Sequence, residues 1–406
     1  HVHNDYISGA LEIRDRTGAE LAVPAEGHYE FSHKSMKEGD KLNVGDINIT
    51  AWETPGHTLE HISWLVEDNK KNPLAIFTEG SLIVGSEGRT DLLGADYVDQ
   101  LTRAQYETVN RIVSLPDNVK LLPTHGGGSF CTASNSSSDR VSTIGNERMF
   151  NQAVLSKTVD DFIATQLDGL LRYPAYYPYM APQNRKGLKV YGELPLPPKL
   201  SESEFDAALN NDILTIDTRF RYLYSTGYLP KTINVELTAS FGTYIGWLFD
   251  YNRELVLIVE DEKALREAVV QLFRIGIENI KGYITTDQPF FAKRAVQKFN
   301  LTTFDELSSK IKAGEEPIIL DVRDPFECSS VGALPNSHKV FLGDIPSKIK
   351  DLRTEFGDKE IYSICVSGER ATVSTGILRN EGINVSTVFN GGVPDVLKVM
   401  ESNPRT

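Results

Sequence analysis

A cysteine in the last part of the sequence stands in a setting that favours nucleophilic chemistry. The run EIYSI predicts a buried strand, and Cys365 follows it directly, ahead of the helix-like segment TVSTGILRN. Open α/β sheets bind ligands at the carboxyl ends of their parallel strands. Loop N–H groups and the start of the helix surround the sulfur there with partial positive charge, which stabilises a thiolate. Arg370 closes the loop with a permanent cation suited to an anionic sulfur donor. The residues predicted to cradle the substrate between them are Val366, Ser367, Gly368 and Glu369.

Histidines form a second set with possible chemistry. His1 and His3 are separated by one residue, so on an extended segment their side chains project to the same side and could bind one ion. Further histidines follow in ETPGHTLEH, which contains His57, and in LLPTHGGG, which contains His125. Taken alone, the opening pattern fits either a metal site or polar residues at a strand end.

The elements that position these residues are distributed over more than one domain. A chain of 406 residues is long enough for two or three domains. Residues 1–182 alternate short β-rich runs with polar loops and one helix-like run, DYVDQLTRAQYETVNRIVSL. Residues 183–203 are rich in proline and are predicted to be a linker, and SESEF after them is typical of a helix start.

Beyond the linker the sequence repeats itself. ILTIDTRFRYLYSTGYLPKTINV is matched by IILDVRDPFECSSVGALPNSHKV, so that Asp217 and Arg219 correspond to Asp321 and Arg323. Alternating strands and helices in each copy predict a small parallel sheet. We therefore expect two α/β domains, residues 204–300 and 301–406. In the first copy the cysteine position falls near Val259 or Glu260, which predicts a structural or docking role.

The second copy resembles the rhodanese family of sulfurtransferases. The resemblance rests on the Asp321-Val322-Arg323 turn, on Gly332 and Pro335, on the loop from Cys365 to Arg370 and on FNGGV. It implies that Cys365 takes up a sulfane sulfur as a persulfide and passes it to a thiol or cyanide. Related phosphatases carry one more residue in this loop, so the spacing here favours sulfur transfer.

The histidine motifs, in their order along the chain, resemble those of the metallo-β-lactamase superfamily. HVHNDY, TPGH, TEGSL, GRTDL and the last histidine, joined to two rhodanese-like copies, are similar to bacterial persulfide dioxygenases of sulfide oxidation. The resemblance implies an N-terminal αββα sandwich whose first strands lie upstream of His1. In that family, iron is held by two histidines and an aspartate, which leaves positions for O₂ and the persulfide.

The metal ligands implied by the resemblance are only partly present. His1 and His57 match the two histidines, but Gly80 stands where the aspartate is expected, and Tyr6 replaces the histidine that closes the opening motif. Further candidate ligands of the front domain are His3, Asp5, His125 and Glu79.

Three interpretations follow for the front domain. The metal site is lost or weak, and the domain binds substrate or organises the assembly. Alternatively Glu79, one residue before the expected carboxylate, completes an unusual iron site, which requires a β-bulge because neighbouring strand residues face opposite ways. In the third interpretation His1, His3, His57 and His125, with Asp5 as an optional further ligand, hold a single zinc ion, as in thioester hydrolases of the glyoxalase II type.

Composition limits the partners. A formal net charge of −14 argues against nucleic-acid or anionic-membrane binding, and no apolar run has the length of a membrane span. Three widely spaced cysteines argue against a disulfide framework and for the cytoplasm. The resemblance suggests a homodimer or homotetramer.

The sequence as a whole predicts a sulfurtransferase of persulfide metabolism. Its substrates would be thiosulfate or a low-molecular-weight persulfide and an acceptor thiol. The alternatives are an active iron persulfide dioxygenase, a zinc-dependent thioester hydrolase, and a sulfur carrier or scaffold that does not turn over.

Overall fold

The computed structural model describes residues 1–126, 131–133, 139–168, 170, 172–286, 294 and 296–402. The chain divides into two compact units. We call His1–Tyr173 with Tyr177–Gly192 the front unit, and Pro174–Tyr176 with Glu193–Thr406 the repeat unit. None of the described helices combines the length and the apolar content that a membrane span requires.

Strands of the front unit belong to one large and one small sheet. They are β1 (Ala22–Pro24), β2 (Lys34–Met36), β3 (Lys41–Val44), β4 (Ile47–Glu53), β5 (Ile62–Glu67), β6 (Pro73–Glu79), β7 (Lys120–Pro123) and β8 (Ser142–Thr143). The six strands from β3 to β8 form one sheet in sequence order, in which β6 and β7 are parallel and the other neighbours antiparallel. β1 and β2 form a separate parallel pair.

Helices of the front unit cover the large sheet. They are α1 (Ala10–Thr17), α2 (Val98–Val113), α3 (Ile144–Phe150), α4 (Gln152–Leu155), α5 (Val159–Leu167) and α6 (Tyr177–Lys186), with short 3₁₀ turns at Ala25–Gly27 and Ala95–Tyr97. The predicted helix-like run forms α2, whose Val109 and Ile112 are buried in the core with Ile76 and Leu121 of the sheet. Helix α6 ends at Lys186, so residues 183–186, the first of the predicted linker, are helical rather than extended.

The first repeat is a four-stranded parallel sheet with helices packed around it. Its strands are β9 (Leu214–Asp217), β10 (Thr232–Asn234), β11 (Leu255–Val259) and β12 (Ile280–Thr285), in the order β10-β9-β11-β12. Its described helices are α7 (Glu202–Asn210), α8 (Arg221–Thr226), α9 (Phe241–Leu248) and α10 (Glu262–Arg274). Ser201 and Glu204 form a capping box at the start of α7, as the SESEF motif predicts.

The second repeat is a five-stranded parallel sheet. Its strands are β13 (Leu301–Thr303), β14 (Ile318–Asp321), β15 (His338–Lys339), β16 (Ile361–Ile364) and β17 (Val385–Phe389), in the order β13-β17-β16-β14-β15. Its helices are α11 (Phe304–Lys312), α12 (Pro325–Ser330), α13 (Ile345–Phe356), α14 (Glu369–Asn380) and α15 (Val393–Glu401), with a 3₁₀ turn at Leu342–Asp344. The predicted small parallel sheets of both repeats are confirmed.

The same buried ion pair follows β9 in the first repeat and β14 in the second. Arg219 folds back onto Asp217 with two charge-assisted hydrogen bonds and donates to the carbonyl of Gly227 at 2.9 Å. Arg323 does the same with Asp321 and donates to the carbonyl of Gly332 at 2.8 Å. Since both aspartates are fully buried, each carboxylate depends on its arginine, and we call this arrangement the Asp–Arg staple.

Candidate functional site

Cys365 lies where β16 ends and the chain turns toward α14. Its side chain is 1% exposed, and its sulfur accepts a hydrogen bond from the backbone N–H of Gly368 at 3.1 Å. Gly368 has φ +99°, a left-handed conformation that turns this N–H back toward the sulfur and suits a residue without a side chain. One of the loop amides that the sequence predicts around the sulfur, that of Gly368, therefore donates to it.

Arg370 has a partner that the sequence analysis missed. Its Nη1 and Nη2 donate to the carboxylate of Glu327, at 2.5 and 2.8 Å. Burial opposes the charge on Arg370, but the hydrogen bonds of Glu327 and the nearby Cys365 raise the pKa of Arg370 above its ordinary value. The guanidinium is therefore a fixed, permanently charged group beside the loop. Glu327 lies in the first turn of α12, in a capping box with Asp324, and that S/T/D-x-x-E pattern was the available signal.

The first repeat has no room for an equivalent loop. Between Val259 and Glu262, where β11 ends and α10 begins, stand Glu260 and Asp261 alone. Asp261 uses its carboxylate to cap the helix, accepting from the N–H of Ala264 at 2.8 Å. Four residues occupy the same connection in the second repeat, from Cys365 to Gly368. The first repeat therefore lacks both the thiol and the length of backbone needed to surround one.

Three donor groups of the front unit converge, and we call them the three-donor cluster: His1, His3 and Glu79. Their ligand atoms lie within 4.8 Å of one another. Glu79 Oε2 is 3.7 Å from His1 Nδ1 and 3.9 Å from His3 Nε2. His1 Nδ1 is buried without a hydrogen-bond partner among the described residues, so its lone pair could bind a metal ion. Two imidazoles and one carboxylate therefore fit a single divalent metal ion.

A β-bulge turns Glu79 into this cluster. The pairing of β6 with β7 shifts register between Phe77 and Glu79, and Glu79 has φ +51°. A left-handed backbone is uncommon for a residue with a side chain, and such strain concentrates at functional sites. The turn is held beyond Glu79, since the N–H of Gly80 donates to His61 Nε2 at 3.1 Å. The bulge required by the second interpretation of the sequence is present.

His57 stands beside the three-donor cluster rather than within it. Its ring centre is 5.0 Å from that of His1, and its Nδ1 donates to the carbonyl of Arg89 at 2.8 Å. A β-carbon on Gly80 would lie 2.5 Å from His57 Cδ2, and one on Gly88 would lie 2.7 Å from Nδ1. The ring thus occupies a slot between two glycines. Burial lowers the pKa of His57 to about 4, so the imidazole is neutral near pH 7.

Asp5 joins the three-donor cluster to the last histidine. Its carboxylate lies 3.5 Å from His3 Nδ1 and 3.5 Å from His125 Nε2. Burial opposes ionisation of Asp5, but the hydrogen bond and charge of His3, with the charge of His125, hold the pKa of Asp5 below its ordinary value. A carboxylate behind a ligating imidazole orients the ring and increases its basicity. Tyr6 places its hydroxyl 3.0 Å from His3 Nε2 and 3.2 Å from Thr124 Oγ1.

A cavity of about 240 Å³ opens onto the three-donor cluster. Its walls combine the cluster with aromatic side chains, namely Tyr29, Phe31 and Trp64. A cleft that combines apolar walls with a few converging polar groups is a usual form of a small-molecule site. The front unit therefore has space for a ligand directly beside its candidate metal centre.

Comparison with known proteins identifies both parts of the chain. Residues 303–398 match the rhodanese-like domain family. A metallo-β-lactamase structure from Staphylococcus aureus subsp. aureus COL is 27% identical, with TM-score 0.62, over 70% of this chain and 83% of that one. ETHE1 from Myxococcus xanthus is also 27% identical, over 46% of this chain and 73% of that one, with TM-score 0.38.

Curated relatives match one part of the chain. Hydroxyacylglutathione hydrolase from Rhodopseudomonas palustris is 27% identical over 127 residues, which are 31% of this chain and 46% of the relative. The enzyme of the same name from Pseudomonas putida is 26% identical over 125 residues, 45% of its length. The chain spans about half the length of these relatives. The chain therefore combines a metallo-β-lactamase fold in its front part with a rhodanese-like domain in its last part.

Proposed function

We propose that the protein is a sulfurtransferase that carries sulfane sulfur on Cys365. The observation that supports this most directly is the hydrogen bond from the Gly368 N–H to the Cys365 sulfur at 3.1 Å. A backbone donor aimed at sulfur stabilises thiolate and, in the next state, the terminal sulfur of a persulfide. The match of residues 303–398 to the rhodanese-like family supports the same chemistry.

The reaction proceeds in two displacements. The Cys365 thiolate attacks the outer sulfur of thiosulfate, forming the new S–S bond as the old one breaks, and sulfite leaves with the electron pair. The thiolate of an acceptor then attacks the terminal sulfur of the Cys365 persulfide. A new persulfide forms on the acceptor, and Cys365 leaves as thiolate, ready for another cycle.

Arg370 and Glu327 have separate roles in this scheme. Arg370 provides positive charge beside the sulfur, where the anionic donor must approach. Glu327 holds the guanidinium by two hydrogen bonds, so its direction is set before the substrate binds. Arg370 is therefore a cation of fixed orientation, whose charge Glu327 partly balances.

Replacing the nucleophile tests the proposal. Cys365→Ser should lower the rate of thiosulfate-to-thiol sulfur transfer by at least about 10³-fold, because a hydroxyl forms no persulfide. Cys328→Ser is the matched control, since Cys328 is a second buried thiol of the same repeat and should leave the rate unchanged. Transfer that stops after about one equivalent per chain in the native protein would indicate a carrier and contradict the proposal. So would undiminished turnover by Cys365→Ser.

We also propose that the front unit binds one iron ion and oxidises a persulfide. Its support is the three-donor cluster, since two histidines and one carboxylate are the ligand set of non-haem iron oxygenases. His1, His3 and Glu79 would hold the ion, which when bound offers open positions to O₂ and the persulfide sulfur. Asp5 orients His3 through Nδ1, and the cavity beside the cluster has space for the substrate.

Metal content tests the second proposal without an activity measurement. We expect close to one iron per chain in freshly purified protein, and at least about tenfold weaker iron binding for Glu79→Gln. Glu107→Gln, on an exposed position of α2, is the control and should bind normally. Less than about a tenth of a metal ion per chain would contradict the proposal. Zinc in place of iron, with hydrolysis of a glutathione thioester, would instead establish the hydrolase interpretation that the curated relatives suggest.

A further inference from the structure

Arg221 of the first repeat lies against the Cys365 loop of the second. Its Nη1 donates to the carbonyl oxygen of Ser367 at 2.6 Å, and the residue is 7% exposed. Glu236, also of the first repeat, fixes the guanidinium from the other side, with Nε–Oε1 at 2.6 Å and Nη2–Oε2 at 2.7 Å. Burial disfavours the cation, but Glu236 and the nearby Glu369 and Cys365 raise the pKa of Arg221 above its ordinary value.

The carbonyl that Arg221 binds belongs to the same peptide group as the amide that meets the sulfur. The C=O of Ser367 and the N–H of Gly368 share one rigid plane and point in opposite directions, because the peptide bond is trans. The C=O end faces Arg221, and the N–H end donates to Cys365 Sγ at 3.1 Å. A cation at the oxygen therefore both orients the amide and polarises it toward the sulfur.

Gly368 is shaped for this contact. A β-carbon at residue 368 would overlap Arg221 Nη1, and φ +99° disfavours any side chain there independently. Glu369, the first residue of α14, lies 3.9 Å from Arg221 Nη2, so the guanidinium spans the end of the loop and the start of the helix. The glycine and the arginine fit each other as parts of one site.

We propose that Arg221 is a positioning residue of the Cys365 site, supplied by the repeat that has no cysteine. The inference rests on the proposed role of Cys365 as nucleophile. The second repeat has no equivalent of its own, because Pro325 stands four residues after Asp321 where Arg221 stands four residues after Asp217. The first repeat thus completes the sulfur site of the second through one peptide group.

The reactivity of Cys365 tests this inference. In Arg221→Gln, iodoacetamide should modify Cys365 about tenfold more slowly near pH 7, with the midpoint of the pH profile about one unit higher, as expected when one hydrogen bond to an ionised sulfur is weakened. Mass spectrometry of the Cys365 peptide isolates this thiol from Cys131 and Cys328. Because Arg221→Gln leaves Glu236 buried without its partner, Arg221→Gln/Glu236→Gln is measured beside it and should show the same slow alkylation at a native melting temperature.

Asn380→Ala is the matched control. Asn380 also joins the repeats, donating to Thr232 O at 2.9 Å and accepting from Lys231 N at 3.0 Å, but it lies at the opposite end of α14. Its loss should leave the alkylation profile unchanged. Native alkylation in the folded double variant, or an equal shift in Asn380→Ala, would overturn the inference. Alkylation requires no sulfur donor, so a shifted profile in a protein that transfers no sulfur would refute the proposed function alone.

Discussion

The two repeats share a framework and differ at one loop. Both have an Asp–Arg staple, after β9 in the first repeat and after β14 in the second, and both arginines reach a glycine carbonyl beyond the next helix. They differ after β11 and β16, where the first repeat has Glu260 and Asp261 and the second has Cys365 to Gly368. A duplicated fold can therefore keep its buried electrostatics while one copy loses the site that gives the other its chemistry.

Charges near the loop are divided between the copies rather than duplicated. Six residues after its staple aspartate, the second repeat has Glu327, which holds Arg370, whereas the first has the half-exposed Leu223. Four residues after that aspartate, the first repeat has Arg221 and the second Pro325. Arg221 of the first copy and Arg370 of the second therefore both lie beside the one sulfur of Cys365.

The largest expected effect comes from moving the nucleophile. In a Cys365→Ser chain, Glu260→Cys should restore no sulfur transfer and leave the rate at least about 10³-fold below the native one. The two-residue connection of the first repeat brings no loop amide around a thiol, and Asp261 beside it is a fixed carboxylate that disfavours thiolate. Recovery of more than about a hundredth of the native rate of thiosulfate turnover would show that the longer loop is dispensable.

The Asp–Arg staples should matter equally in both repeats. Asp217→Asn and Asp321→Asn should each lower the free energy of unfolding by about 3–5 kcal/mol, because each leaves a buried arginine without its counter-charge. Urea unfolding measures the loss, with Asp212→Asn, which breaks the exposed pair with Lys231, as an unchanged control. A loss of unfolding free energy confined to Asp321→Asn would contradict an equal structural role of the staple in the two repeats.

The pH dependence of stability should distinguish the front unit from both repeats. Burial raises the pKa of Glu87 from its ordinary 4.5 to about 8 in the folded protein. Between these values the folded state holds a proton that the unfolded state has released. The contribution of Glu87 to stability is therefore greatest below about pH 4.5 and falls by up to about 1.4 kcal/mol per pH unit as the pH rises toward 8.

Glu87→Gln should remove this slope. Tryptophan fluorescence in a Trp247→Phe background reports the front unit through Trp52 and Trp64, since the chain has three tryptophans. Unfolding measured at pH 5 and pH 8 should differ less in Glu87→Gln than in the background protein. An identical slope in the two would place the pH sensitivity elsewhere in the front unit.

The smallest expected effect concerns the partner of Arg370. Glu327→Gln should raise KM for thiosulfate about tenfold with a lesser change in kcat, because the guanidinium loses its fixed direction. Leu223→Gln alters the matching position of the first repeat and should change neither constant. An unchanged KM in Glu327→Gln would show that Arg370 needs no second residue to face the donor.

Sequence patterns predicted several parts of this architecture. Strand–helix alternation predicted the parallel sheets, and they are confirmed. The motif around Cys365 predicted a rhodanese-like domain, which the family match confirms. The metallo-β-lactamase fold of the front part is confirmed as well. The parallel sheets depend on residues close in sequence, whose periodicity shows strands and helices, whereas the two family expectations depended on the resemblance of motifs.

Features that depend on a β-bulge or on a contact between residues far apart in the chain were not predictable from local sequence patterns. The side on which Glu79 projects depends on a bulge between β6 and β7, strands far apart in the chain. The contact of Arg221 with Ser367 joins residues of different repeats. Glu79 was among several candidate metal ligands in the sequence, but no pattern indicated a role for Arg221. Tertiary packing decided both.

The packing of His57 between two glycines limits the substitutions that the front unit can accept at residue 80. An aspartate at residue 80 would meet the His57 ring as it now lies. Introducing at residue 80 the carboxylate that the resemblance to persulfide dioxygenases led us to expect would therefore require the ring to move, together with its hydrogen bond to Arg89. A single substitution at Gly80 would displace the packed His57 ring when it introduced a ligand at residue 80. Residues 57 and 80 can therefore change only together.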